Sequence, residues 1–203
     1  MAVCGAFAAM CAFYLAYQRL KRGADLRLQI AAKCAATAMA ALVALLGCLK
    51  NGAAAHWVLL AGLVACAVAD GVLCVRFIPG GAIFALGHLM YMASFCMMRL
   101  PGLPSALLFL ALLGLAAAAL ARFRARLGRS FPLVLAYAAV LSLMVAMASA
   151  QAPLYFIGAI LFAISDGLLG FLIMNRGNVA LDYVSLGTYY LGQFLLGLAV
   201  YLG

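Results

Sequence analysis

Apolar residues run through this chain in long blocks, broken only by short polar clusters. None of the blocks shows the short alternating pattern of a β-barrel strand. Each is close to the roughly 20 residues that a helix needs to cross a bilayer. The pattern predicts eight helices, at about 2–18, 28–49, 56–75, 81–98, 103–121, 131–149, 152–174 and 181–202. The breaks carry helix-ending chemistry: "RLKRGADLR", "LKNGAA", "FIPGG", "RLPGLP", "RFRARLGRSFP", "QAP" and "NRGNVALD". Eight spans use roughly 160 residues. The expectation is therefore an all-α, polytopic membrane bundle, with residues 1–203 forming one transmembrane domain. The first block has no basic stretch ahead of it, so it reads as a span rather than a cleaved signal peptide.

Composition agrees with the pattern. The chain is 70% hydrophobic and only 8% charged, with a mean hydropathy of +1.23, well outside the globular range. A net charge of +9 would otherwise suggest a nucleic-acid partner. Here the basic residues lie in short loops beside spans, so no nucleic acid is expected. The seven cysteines form no C-x-x-C pair, and most fall inside spans as small apolar residues. Neither disulfides nor a thiolate metal site is expected.

Charge also predicts orientation. Alternate loops on one side carry Arg19, Lys21, Arg22, Arg27, Arg76, Arg122, Arg124, Arg126, Arg129 and Arg176, ten in all. The other side carries only Lys50 and Arg99. The side with ten is assigned to the cytoplasm, which places both termini outside. The chain is expected to be a multi-pass protein of the inner or plasma membrane of a bacterial cell. "ADGVL" in the third segment is echoed by "SDGLL" in the seventh. Four helices apart, the two run in the same direction, as in a parallel 4+4 repeat.

Four ionisable residues fall inside spans: Lys33, Asp70, His88 and Asp166. An aspartate at a helix centre costs about 2.5–3.5 kcal/mol on insertion scales. With Tyr189 and Tyr190 they lie roughly 7–13 Å from the basic face, at about 1.5 Å per residue. Five helices thus bring polar groups to one level in the cytoplasmic half of the bilayer. Helical spacing groups Gly158, Phe162, Asp166 and Gly170, and likewise Gly62, Cys66, Asp70 and Cys74. The mostly small residues in these stripes predict close helix approach beside each aspartate. Phe84, His88, Tyr91 and Phe95 form a third stripe, and Tyr190, Gln193 and Gly197 a fourth.

Taken singly, each of these has a structural explanation. A histidine among apolar residues is usually a satisfied core residue. An Asp–Lys pair can simply hold helices together, and Ser165 can bond back to the preceding turn. Together, Asp70, Asp166, Lys33, His88, Tyr189, Tyr190 and Gln193, taken at one depth, exceed what helix association needs. His56 and Trp57, at the outer start of the third segment, read as interfacial. Asp25 and Asp182 lie at helix ends, with capping the expected role for Asp182.

These residues carry a resemblance. "ADGVL", "GAIFALGHLMYMASF", "GAILFAISDGLL" and "TYYLGQ", with Lys33 ahead of them, resemble the YhhN-type lysoplasmalogenase family of multi-span membrane proteins, in order and spacing. The chain departs from the usual family pattern at Ala69, where Gly is common, and at Cys34, where Pro is common. Neither change removes a titratable group. The resemblance implies hydrolysis of the vinyl-ether bond of a lysoplasmalogen, a lysophospholipid, to a fatty aldehyde and a glycerophospho-choline or -ethanolamine. Membrane lipids are its other expected partners.

The residues suit that chemistry. A vinyl ether hydrolyses by protonation at its β-carbon, and water then captures the oxocarbenium ion. Glycosidases meet a related demand with two carboxyl groups. Two aspartates in a low-dielectric site can divide the work, one neutral and one ionised. Asp70 and Asp166 are the expected acid and base or stabiliser, with His88 relaying a proton or orienting water. Lys33 is expected to balance charge. Tyr91, Ser165, Tyr189, Tyr190 and Gln193 are expected to position the glycerol backbone or water. No metal or cofactor is required. Two other readings stay open: a metal-dependent lysolipid hydrolase using Asp70, His88 and Asp166, and a proton-coupled lipid or small-molecule transporter.

Overall fold

The computed structural model describes residues 1–23, 25–175 and 178–203, with Asn51 described by its backbone alone. Arg176, one of the ten basic loop residues, lies outside the described residues. Among the described residues all regular structure is helical: α1 (Ala2–Leu20), α2 (Leu26–Asn51), α3 (Ala54–Leu73), α4 (Phe77–Met98), α5 (Leu103–Ala121), α6 (Arg124–Leu127), α7 (Phe131–Ala148), α8 (Pro153–Asn175) and α9 (Val179–Leu202). A 3₁₀ turn, Gly128–Ser130, joins the short α6 to α7. Eight of these helices are long and apolar enough to cross a membrane.

Local chemistry sets the ends. Asp25 caps α2, its carboxylate accepting from the Arg27 N–H at 2.9 Å. Gly52 closes α2 with φ +57°, and its N–H bonds the Cys48 carbonyl at 2.8 Å. Asn178 caps α9 through the Ala180 N–H at 2.9 Å. Asp182 therefore does not cap α9. It pairs with Lys21 at the end of α1 at 2.6 Å. The fourth span also begins earlier than its sequence suggested, at Phe77. Pro79 falls in the first turn, where a missing N–H breaks no helical bond, so "FIPGG" opens α4 rather than preceding it.

Helix packing then positions the interior. α3 packs along α4, α8 along α9, and α2 lies against α1, α3 and α9. α7 joins α4, α5 and α8. The most enclosed span is α9, 56% buried, and the least is α5, 6% buried. Two crossings are tight because glycines meet there. A Cβ on Gly192 would lie 2.8 Å from the Gly158 carbonyl oxygen, and one on Gly87 would lie 3.2 Å from that of Gly62. Close approach was also expected beside Gly170, but a Cβ there would meet nothing within 4 Å. The tight part of α8 is its Gly158 end, and Asp166 lies two turns further on.

Candidate functional site

The stripe Phe84, His88, Tyr91 and Phe95 faces the interior and is buried. So do Tyr189, Tyr190 and Gln193 on α9. Helical spacing thus brings these groups inward from α4 and α9, while α2, α3 and α8 supply the charged ones. The polar residues gather around two carboxyl groups with different partners.

Asp70 on α3 is held by three donors. Lys33 Nζ approaches Oδ1 at 3.2 Å. Oδ2 accepts from Thr37 Oγ1 at 2.5 Å and from Tyr189 OH at 2.8 Å. Only 1% of the Asp70 side chain is exposed, and 10% of Lys33. Lys33 Nζ also lies 5.8 Å from the Tyr17 ring centroid. The ammonium and carboxylate cancel, and the two hydroxyls occupy further lone pairs. This is a buried ion pair of the kind that survives desolvation only when fully bonded.

Among the described residues Asp166 on α8 has one hydrogen bond, from Tyr137 OH on α7 to Oδ2 at 2.5 Å. His88 Nε2 faces the same oxygen at 4.0 Å. That is too long for a direct hydrogen bond and suits a group spanned by one intervening oxygen. The other ring nitrogen, Nδ1, lies 2.7 Å from the Phe84 carbonyl. A carbonyl only accepts, so Nδ1 carries the hydrogen. In the neutral ring Nε2 is then a bare acceptor, buried and, among the described residues, without a hydrogen-bond partner. The Asp166 side chain is 16% exposed.

Aromatic rings lie between the two clusters. Phe162 meets His88 edge-on at 4.6 Å between centroids and Tyr189 at 5.3 Å. Phe84 meets Phe162 at 6.1 Å and Tyr189 at 5.8 Å. Among the described residues, no hydrogen bond or ion pair joins the Asp70 set to the Asp166 set.

The other expected residues divide as follows. Tyr91 OH donates to Gln193 Oε1 at 2.7 Å. Among the described residues Gln193 Nε2 and the buried Tyr190 hydroxyl have no hydrogen-bond partner. The carbonyl of Ser165 accepts from Ser185 Oγ at 2.9 Å, which ties α8 to α9 next to Asp166. Sequence reasoning missed Thr37 and Tyr137. Thr37 is one turn beyond Lys33 on the same face, a spacing that marks it. Tyr137 lies roughly 9 Å into its helix at about 1.5 Å per residue, the depth of the other polar groups.

One open reading loses support. Among the described residues, no three His, Cys, Asp or Glu side chains are arranged to hold a metal ion. Both Asp70 oxygens are bonded, to Lys33, Thr37 and Tyr189.

These features define a polytopic α-helical membrane protein with a sealed ion pair and a partly open carboxyl–imidazole couple in its interior. Residues 28–200 match the YhhN family, and the chain belongs to it. No curated protein and no solved structure matches the chain.

Proposed function

We propose that this protein is an intramembrane hydrolase that cleaves the vinyl-ether bond of a lysoplasmalogen. The products are a fatty aldehyde and a glycerophospho-choline or -ethanolamine. Family membership supports this reading. The observation that carries it further is the Asp166–His88 couple, a partly exposed carboxyl facing a buried, unpartnered Nε2 across 4.0 Å.

Among the described residues Asp166 has no cation at bonding distance, and it serves as the acid, giving its proton to the vinyl β-carbon. Asp70, ion-paired with Lys33, keeps the interior charge-balanced, and the carboxylate that Asp166 becomes on giving up its proton favours the resulting oxocarbenium ion. Water adds to that ion and passes a proton to His88 Nε2. The hemiacetal then collapses: its hydroxyl proton returns to the Asp166 carboxylate, and protonated His88 gives its proton to the leaving glycerol oxygen. Both residues end as they began, and the sum is substrate plus water to aldehyde plus alcohol. Tyr137 orients the Asp166 carboxyl. Tyr91, Tyr190 and Gln193 line the path of the glycerol backbone, and surrounding apolar residues receive the alkenyl chain. Tyr189 and Ser165 act through the groups they bond.

In this reading the basic loops face the cytoplasm and both termini lie outside. The site then occupies the cytoplasmic half of the bilayer, and "ADGVL" and "SDGLL" descend from one repeated four-helix unit. The test is a lipid panel offered to detergent-purified protein: vinyl-ether, alkyl-ether and ester lysolipids, with aldehyde and fatty acid both measured. Aldehyde from the vinyl ether alone supports the proposal. Fatty acid from the ester alone contradicts it, as does unchanged substrate throughout, the outcome expected of a transporter.

A further inference from the structure

A cavity of about 330 Å³ opens where α1 and α8 end and α9 begins. Its polar lining is Gln18, Lys21, Arg22, Asn178, Asp182 and Tyr183. Three of these, on or just after α1, precede the stretch that matches the family. We propose that this cavity binds the phosphodiester headgroup of a single-chain lipid; the assignment rests on the lysolipid reading above and names where that substrate is held.

Charge is the first argument. Lys21 and Asp182 cancel at 2.6 Å. Arg22 has no partner among the described residues, so the lining is left with one net positive charge for the single negative charge of a phosphodiester. The second is a buried amide. Gln18 lines the cavity, is only 3% exposed, and among the described residues its Nε2 has no well-aligned hydrogen bond, with the Tyr14 hydroxyl as its neighbour. A turn of the amide would bring that donor to a phosphate oxygen in the cavity. The first turn of α9 adds helix N-terminal polarity on the same wall.

The cavity wall leads inward to the polar groups. The Tyr17 ring, 6% exposed, has Lys21 Nζ at 5.9 Å and Lys33 Nζ at 5.8 Å. Tyr14 donates to the Tyr183 carbonyl at 2.8 Å, and its ring meets Tyr190 at 5.5 Å. The depth also fits. Tyr183 and Leu172, both lining the cavity, stand six residues from Tyr189 and Asp166, about 9 Å along each axis. The phosphorus of a lysoplasmalogen is about seven bonds from its vinyl β-carbon, also about 9 Å when extended. A phosphate in the cavity therefore reaches the level of the carboxyl groups with its reacting carbon.

The test is equilibrium binding, which needs no turnover. A tritiated alkyl-ether lysophosphatidylcholine, lacking both vinyl-ether and ester bonds, is the probe for purified protein in non-ionic detergent. An alkylglycerol of the same chain length and inorganic phosphate are the competitors. The phosphate-bearing lipid should bind about tenfold more tightly than the alkylglycerol. Arg22→Gln should erase that preference while leaving alkylglycerol affinity unchanged, Gln18→Leu should reduce it, and Arg129→Gln, outside the cavity, should keep it. No preference in the wild type, or a preference that survives Arg22→Gln or is lost equally in Arg129→Gln, would overturn the assignment. Displacement of the probe by millimolar inorganic phosphate would overturn the lipid as ligand. Preferential lipid binding without aldehyde release would sink the hydrolase reading alone. Aldehyde release with Arg22→Gln unaltered in preference would sink only the cavity.

Discussion

Among the described residues Asp70 accepts from three donors and is 1% exposed, whereas Asp166 accepts from one and is 16% exposed. Both precede a glycine. Their neighbours make the difference. Asp70 faces α2 and α9, which bring Lys33, Thr37 and Tyr189. Asp166 faces α4 and α7, which bring a bare imidazole nitrogen and one phenol. A carboxylate bonded on every side is poorly placed to exchange protons. One with a spare oxygen, some exposure and an unpartnered base nearby is well placed to do so. The comparison assigns folding and charge balance to the first and proton transfer to the second.

Substitutions can break that assignment. Asp166→Asn is the largest expected effect: turnover should fall about a thousandfold, within the range of general-acid contributions, with little change in melting temperature. A steady-state assay beside a thermal melt reads both. Asp70→Asn should show the reverse emphasis, since it leaves Lys33 buried without a counter-charge. Destabilisation of about 3–5 kcal/mol is expected, measured by unfolding in detergent. Replacing both partners, as in Lys33→Met with Asp70→Leu, should recover part of that stability; no recovery would remove the ion pair as its cause.

Smaller changes sharpen the contrast. His88→Gln should lower kcat about a hundredfold, because it removes the base facing Asp166. Tyr137→Phe should lower kcat about tenfold with KM nearly unchanged, since the phenol orients the acid and touches no substrate. A rise in KM alone would place Tyr137 on the substrate instead. Tyr189→Phe is the mildest, costing about 1 kcal/mol of stability through one lost bond to Asp70.

The sequence made some of this plain and left other parts hidden. Eight apolar blocks matched eight spans because length and hydropathy are local properties. Asp70, Asp166, His88 and Lys33 stood out because ionisable side chains in lipid are costly. Pro79 was misplaced because a proline reads as a break although the first helical turn tolerates it. Tyr137 was hidden because one tyrosine in an apolar helix looks like ordinary packing. Its role appears only when α7 is rotated towards α8. The Lys21–Asp182 pair joins residues from the first and last spans, which no local pattern can show. The two carboxyl groups read as one site for the same reason: depth follows from sequence, but helix neighbours and rotation come from packing.

In the proposed mechanism Asp166 protonates carbon. Hydrolysis of a lysoplasmalogen in D₂O tests it most directly, with the aldehyde trapped at early times and examined by mass spectrometry. The account predicts one deuterium at carbon 2 of the aldehyde, formed by the wild type and not by Asp166→Asn. An aldehyde without that deuterium, or labelled product at wild-type rates from Asp166→Asn, would contradict it.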